Sequence, residues 1–335
     1  MEEKIVLLAH GAGGKLTHNL IEEIFLKAFD NPYLSPLNDQ AVFSSPGKEL
    51  AFTTDSYVVN PIFFPGGDIG KLAVCGTIND LAVGGADPVY MSASFIIEEG
   101  MPMRELEKIV SSMARTSMEC GVRIVTGDTK VVERGKGDKV FINTTGIGVV
   151  REGVRLSPSF IRPGDIVMVS GTIGDHGIAV LSERGGLNIP VESDCAPLHA
   201  LTGEVLSKAG ARVKAMRDPT RGGLATILNE FSESSGFCIL IEEESIPVKD
   251  AVKGACELLG FDPLYLANEG KAVIVASSEC ASGLLFVMRN NPLGRSAAVI
   301  GRVIEGPKGK VVLETTVGNR RAVEKLSGEQ LPRIC

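Results

Sequence analysis

A mixed α/β (α+β) fold in two domains is what the sequence predicts, and three observations predict it. Short runs rich in Val, Ile, Thr and Phe alternate with longer stretches in which apolar residues recur at three- and four-residue steps. The 335 residues suit two domains of ~150 residues each. Near Arg151 to Pro163 the pattern loosens into two prolines and alternating charge, which marks the boundary.

Each element follows in order. Ile5 to Ala9 is a short apolar run with acidic flanks, a strand rather than a signal peptide. Leu16, Leu20, Ile21, Ile24 and Phe25 then trace a helical pattern. Strands are expected at Ala51–Val59, Val89–Ile97, Val122–Thr126 and Lys139–Val150. Between them, Ile69–Val83 and Pro102–Cys120 read as helices, the second with Pro102 suited to a first turn. The second half opens with a strand, Asp165–Ser170, and repeats the logic. Helices are expected at Thr220–Ser235, Val248–Leu259 and about Glu279–Asn290, and strands at Phe237–Glu242, Lys271–Ala276 and Ala297–Ile304. After Leu326 the chain is too short and irregular for another element.

Composition narrows the function. Hydrophobic residues make up 44% and charged residues 22%, ordinary globular values. Lys plus Arg is 34 and Asp plus Glu is 41, a net charge of −7 without a long basic cluster, which argues against nucleic acid or anionic lipid as a partner. Aromatics are 5% with no Trp, which argues against a base-stacking surface. The 39 glycines are an excess with no low-complexity tract to absorb them, so they belong in turns and loops. Seven cysteines without a CxxC pair exclude a zinc knuckle on spacing; the odd count reads as reduced thiols in a cytoplasmic protein. No stretch approaches the ~20 apolar residues that span a membrane.

Several motifs carry chemistry. His10-Gly-Ala-Gly-Gly-Lys15 follows a strand and precedes a helical pattern, where backbone amides can cradle phosphate. It is neither a Walker A loop, since Ala9 stands at the first glycine position, nor a Rossmann fingerprint, since Leu16 replaces the third glycine; a tight structural turn explains it equally well. Asp39, Asp55, Asp80, Asp128 and Asp218 all lie at junctions, and hard carboxylate oxygens suit Mg²⁺ bridging nucleotide phosphates. Asp218 before Pro219 is equally an N-cap, and Asp39 and Asp128 are equally turn acids. Asp80 is different, because it falls on an apolar helix face, where an unpaired carboxylate is costly. His176 sits in a glycine-flanked loop, near phosphate or simply solvated. Cys335 is the last residue, and a thiol on a mobile tail can be charged at one site and delivered to another; extended, the tail reaches ~30 Å.

Taken together, His-Gly-Ala-Gly-Gly-Lys, Thr-Thr-Asp-Ser, Gly-Thr-Ile-Asn-Asp-Leu-Ala-Val-Gly-Gly-Ala, Gly-Asp-Thr-Lys-Val, Asp-Pro-Thr-Arg-Gly-Gly-Leu and the terminal Pro-Arg-Ile-Cys resemble the hydrogenase expression/formation protein family HypE, over residues 10 to 335. That family belongs to the aminoimidazole ribonucleotide synthetase-like (PurM-like) superfamily. The resemblance implies a glycine-rich segment at 1–36, an ATP-binding domain at 37–150, a second α/β domain at 160–315 and a mobile tail at 326–335. It implies a homodimer whose N-terminal sheets join across the two-fold. Asp39, Asp80, Asp128 and Asp218 would be metal-side carboxylates for Mg²⁺, and Gly13, Gly14, Lys15, Asp55, Asn79, Asp80, Gly127, Asp128 and Thr129 would surround ATP. Lys15 and Lys130 would neutralise phosphate charge, and Glu269 would be the base.

The family's chemistry would have a carbamoyltransferase load a carbamoyl group onto the Cys335 sulfur. ATP-dependent dehydration of that S-carboxamide would then give a thiocyanate, whose cyanide passes to a hydrogenase-maturation scaffold. Two other classes stay open: a kinase or synthetase of the superfamily acting on a diffusing molecule, and a module in which ATP only sets the tail's position.

Overall fold

The structure, a computed structural model, describes residues 5–7, 20–31 and 49–325. Four strands build the first sheet: β1 (Leu50–Tyr57), β2 (Ala86–Glu98), β3 (Arg123–Val132) and β4 (Val140–Val150), in the order β1-β4-β2-β3. β4 runs antiparallel to both β1 and β2, and β2 parallel to β3. All four expected strands are present, and β3 runs on through Asp128 and Lys130 to Val132. Val6 extends this unit by backbone hydrogen bonds with Gly100 and Met101.

β1 alternates strictly, and the two faces of the sheet have different fates. On β1, Ala51, Thr53, Asp55 and Tyr57 point inward, whereas Leu50, Phe52, Thr54 and Ser56 point away. Against the inner face lies α1 (Ile69–Val83), which contacts β1, β4 and β2. Asp68 caps it, accepting from the Gly70 and Lys71 amides at 2.8 and 3.1 Å. The helix is apolar nearly all round because it is buried on every side. α2 (Met103–Glu119) closes over it, and at Gly70 a Cβ would stand 2.5 Å from the Ile109 carbonyl, so only glycine lets the two helices approach.

The second half is built on a seven-stranded sheet. Its strands are β5 (Ile166–Val169), β6 (Val213–Arg217), β7 (Cys238–Glu242), β8 (Val273–Ala276), β9 (Ala298–Ile304), β10 (Val311–Glu314) and β11 (Arg320–Val323), in the order β11-β10-β7-β9-β5-β8-β6. Only the β7–β10 pair is parallel. β5, β7, β8 and β9 fall where the sequence puts them; β6, β10 and β11 were not anticipated. Helices α3 (Asp175–Gly185), α4 (His199–Ala209), α5 (Gly223–Ser235), α6 (Asp250–Leu259) and α7 (Ala281–Asn290) accompany the sheet, and α3 and α4 were likewise unanticipated. Separate buried clusters fill the two sides of this sheet. α1 also touches α4 and β6, so one helix is shared by both halves of the molecule.

Candidate active site

A cavity of about 340 Å³ opens at the junction of the two halves. Thr53 from β1 and Asp80 from the last turn of α1 line it on one side, and Arg217 and Asp218, at the end of β6, on the other. The linker residues Leu156 and Ser157 close one flank. The Thr53 hydroxyl donates to Asp80 Oδ2 at 2.8 Å, which fixes that carboxylate's orientation. Beside them, Asp55 Oδ2 accepts from the Tyr57 hydroxyl at 3.2 Å, while Arg221 lies 3.7 Å from Asp55 Oδ1. Gly76 makes this possible, because a Cβ there would stand 2.2 Å from the Tyr57 oxygen.

The acids at the junction perturb one another. Burial, followed by the neighbouring Asp80, pushes the Asp218 carboxyl up to about 7. Asp80 is also raised, by burial and by Asp55, although the Thr53 hydrogen bond and Arg217 pull against that shift. Glu269 is raised well above the carboxylate range by burial, then by Cys195, Asp218, Asp194 and Asp55. Carboxylates held together against their own repulsion are what a cation would relieve. Yet among the described residues no three His, Cys, Asp or Glu side chains stand close enough to enclose an ion alone. The donor set therefore fits Mg²⁺ in its common mode, held by one or two carboxylates and completed by substrate phosphates.

Behind the cavity, Glu269 is buried and its peptide is anchored. Its N–H donates to Asp194 Oδ1 at 3.0 Å, and Asp194 pairs with the nearly buried Lys271 at 3.2 Å. Asn79, expected beside the nucleotide, is fully buried here. Its amide nitrogen donates to the carbonyls of Ala196 and Glu269 at 3.1 and 3.2 Å, and its oxygen accepts from the Leu198 N–H at 2.7 Å. The reason is helical geometry: about 100° of rotation separates Asn79 from Asp80, so one faces the second domain and the other the cavity.

Asp128 and Lys130 do not join this cluster within one chain. Ser56, Asn143, Ser94 and Asp128 form one transverse row, and paired residues share a face. Asp128 and Lys130 therefore lie on the outer face with Phe52, and Asp128 is ~14 Å from β1, three strand spacings away. Both are exposed, 3.7 Å apart. Gly127 sits where a Cβ would come within 2.1 Å of the Ala93 carbonyl, so it serves the close approach of β3 to β2. The Thr129 amide donates to Asp128 Oδ1 at 2.8 Å.

His176 is not a solvated loop residue. It opens α3, is fully buried, contacts Ser193 Oγ at 2.8 Å through Nδ1 and meets Phe64 edge-on; burial pushes its pKa down to about 4. Gly13, Gly14, Lys15, Asp39 and Cys335 lie outside the described residues. Sequence reasoning passed over Thr53, Tyr57, Asp194, Arg217, Arg221 and Lys271. Two of them had a visible signal, Thr53 inside Thr-Thr-Asp-Ser and Arg221 inside Asp-Pro-Thr-Arg-Gly-Gly.

Comparison with known proteins decides the family. Residues 37–150 match the AIR synthase related protein N-terminal domain, and residues 162–314 its C-terminal domain. The carbamoyl dehydratase HypE of Cupriavidus necator is 54% identical over 98% of this chain and 94% of its own length. The chain belongs to the HypE family. Among solved structures, HypE in complex with ATP superposes with a TM-score of 0.95 at 49% identity, covering 98% of this chain and 99% of that one. HypE from a HypE–HypF complex gives 0.80 at 50% identity, covering 92% and 99%. The mixed α/β architecture of two AIR synthase-like halves is thus that of the HypE structures.

Proposed function

We propose that this HypE-family chain is an ATP-dependent carbamoyl dehydratase of [NiFe] hydrogenase maturation, converting an S-carboxamide on its own Cys335 to a thiocyanate. The observation that carries the reading is the junction itself. Asp55, Asp80, Asp218 and the buried Glu269 gather there in a chain about half identical, over nearly its whole length, to curated carbamoyl dehydratases. ATP binding is supported by the likeness to HypE solved with ATP.

Dehydration of an amide needs its oxygen turned into a leaving group. The carboxamide oxygen attacks the γ-phosphorus of ATP and ADP departs. Proton loss from nitrogen then forms the C≡N bond as phosphate leaves with the oxygen, so the atoms of one water end in phosphate and released protons. Glu269, once ionised, takes the N–H proton, and burial gives its carboxylate a raised affinity for that proton. Asp80 and Asp218 would hold Mg²⁺, which supplies charge neutralisation at the phosphates. Thr53 keeps Asp80 aimed at the cavity, and Arg217 faces the same space.

The partners follow from the same reading. The solved HypE–HypF complex supports a carbamoyltransferase that loads Cys335. A hydrogenase-maturation scaffold would accept the cyanide. A second copy of the chain would cover the outer sheet face, where Phe52 is 71%, Leu50 48% and Ile96 45% exposed. With Asp128 and Lys130 on that face, each nucleotide site would be completed by the partner copy's β3. No helix among the described residues is long and apolar enough to cross a membrane.

The test is whole-protein mass spectrometry after incubation with the carbamoyltransferase, carbamoyl phosphate and Mg-ATP, comparing wild type with Cys335→Ala. The expected result is a carbamoyl adduct on Cys335 that loses one water only with hydrolysable ATP. No adduct, with undiminished ATP turnover in Cys335→Ala, would sink the reading in favour of a kinase for a diffusing substrate, which would also tolerate deletion of Pro332 to Cys335.

A further inference from the structure

We propose that Asn79 is a positioning residue that fixes the peptide of Glu269 against the helix carrying Asp80. Proton removal and phosphoryl transfer would thereby keep one register across the domain junction. The inference rests on the reading of Glu269 as base and Asp80 as a phosphate-side carboxylate.

Three hydrogen bonds carry it, and all three cross between the halves of the molecule. They run from Asn79 to Ala196, Leu198 and Glu269, residues 117, 119 and 190 positions away. The side chain is fully buried, and both of its functional ends are engaged: the nitrogen donates to two carbonyls and the oxygen accepts one amide. No other residue type of this size does both. Aspartate cannot donate to the two carbonyls, and leucine would leave all three backbone groups without this partner.

The consequence falls on Glu269. Its carbonyl is held by Asn79 and, at 3.4 Å, by the Ala196 N–H; its own N–H is held by Asp194. Gly270 lets the two segments press together, since a Cβ there would stand 1.9 Å from the Asp194 carbonyl oxygen. With its main chain pinned on both sides, the glutamate retains only side-chain rotation. The next residue after Asn79 is Asp80, whose carboxylate is in turn pinned by Thr53. One helical turn thus ties the base of the second domain to the carboxylate of the first. Preorganisation of this kind matters because a misplacement of ~1 Å can cost about 10² in rate.

The experiment uses full-length protein, carbamoylated by its carbamoyltransferase, in four forms: wild type, Glu269→Gln, Asn79→Asp and Asn79→Ser. Two quantities are read for each, the dissociation constant for ATP by calorimetry and the single-turnover loss of water by intact mass at saturating ATP. Asn79→Asp and Asn79→Ser are expected to bind ATP within about twofold of wild type while losing water about 10- to 100-fold more slowly. Should the aspartate fail to fold, the smaller serine, which keeps a hydroxyl donor and admits water, decides alone. Weaker ATP binding with an unchanged rate at saturation would overturn the proposal and make Asn79 a nucleotide contact. An unchanged rate in the Asn79 variants alongside a collapsed rate in Glu269→Gln would overturn the positioning role alone. Full activity of Glu269→Gln would remove the base assignment, and the positioning role with it.

Discussion

Asp80 and Asp128 are both expected metal-side carboxylates, Asp80 followed by Leu-Ala-Val-Gly-Gly and Asp128 by Thr-Lys-Val-Val-Glu, and the molecule treats them in opposite ways. Asp80 is drawn into the domain junction, pinned by Thr53 and pushed towards protonation by burial. Asp128 lies on the outer face of β3, more than half exposed, where it meets its strand neighbours Thr129 and Lys130. The junction is preorganised within one chain; the strand edge becomes a site only when something else arrives. The difference separates expected site residues that one chain gathers by itself from expected site residues that it leaves apart on an outer face.

Complementation tests this division and carries the largest expected effect. Asp80→Asn and Lys130→Ala should each reduce water loss by about 10²- to 10³-fold. If β3 serves the partner's site, mixing the two variants under subunit exchange rebuilds one intact site in each mixed dimer, returning about a quarter of wild-type activity after random mixing. Recovery to nothing would mean that both residues act in the same chain and would break the comparison.

The next effect lies wholly at the junction. An acid whose folded pKa is raised contributes its full stability below the unfolded value and loses it as pH rises towards the folded one. For Asp218, at about 7 against an ordinary 3.8, the loss accrues between those two pH values and amounts to up to about 4 kcal/mol. Asp218→Asn should therefore match wild type near pH 4 and exceed it in stability by a few kcal/mol at pH 8, read by urea unfolding without nucleotide. Mg-ATP should narrow that gap by stabilising wild type alone. Equal stability at pH 8 would show that the junction carboxylates are not in conflict.

How much of this was legible depends on range. The α1 boundaries follow from Asp68 as cap and from a continuous apolar run, all local signals, and the sequence reading and the structure agree on Ile69–Val83. Asp80 was legible for the same reason, since a carboxylate in that run demands an explanation. The bonds of Asn79 across the junction were not legible, because its three partners lie more than a hundred residues away and leave no mark on its neighbours. His176 reads as a loop residue in the sequence because glycines at 174 and 177 look like a turn; in the structure Gly174, at φ 84°, precedes the first turn of α3. The faces of β3 could not be assigned before its register with β2, including the irregularity between Met91 and Ser92, was known.

A smaller effect separates the strand edge from the junction. Gly127→Ala would force a Cβ to within 2.1 Å of the Ala93 carbonyl, a backbone atom that cannot swing aside. The expected cost is about 1–3 kcal/mol in thermal or urea unfolding. Because the strain falls between β2 and β3, it should displace Asp128 and Lys130 while leaving the Thr53–Asp80 contact on the far side of the sheet. Hydrogen exchange should rise in residues 123–132 and not in residues 69–83. Equal loss of protection in both would mean that the two regions form one cooperative unit.

The mildest change in fold stability is expected on the outer face itself. Phe52 points away from α1 and, though it borders the junction cavity, is mostly exposed, so Phe52→Ser should shift the unfolding free energy of the isolated chain by no more than about 0.5 kcal/mol. Its effect on association should be larger. Phe52, Ile147 and Tyr90 form one row of the outward face, and replacing its most exposed ring removes apolar surface that only a second copy would bury. Sedimentation equilibrium should therefore report a weakened dimer in Phe52→Ser. If the nucleotide site is shared, activity per chain should fall with dilution in step with the dimer fraction. A variant that is monomeric and fully active would uncouple β3 from catalysis, leaving the junction as the complete site.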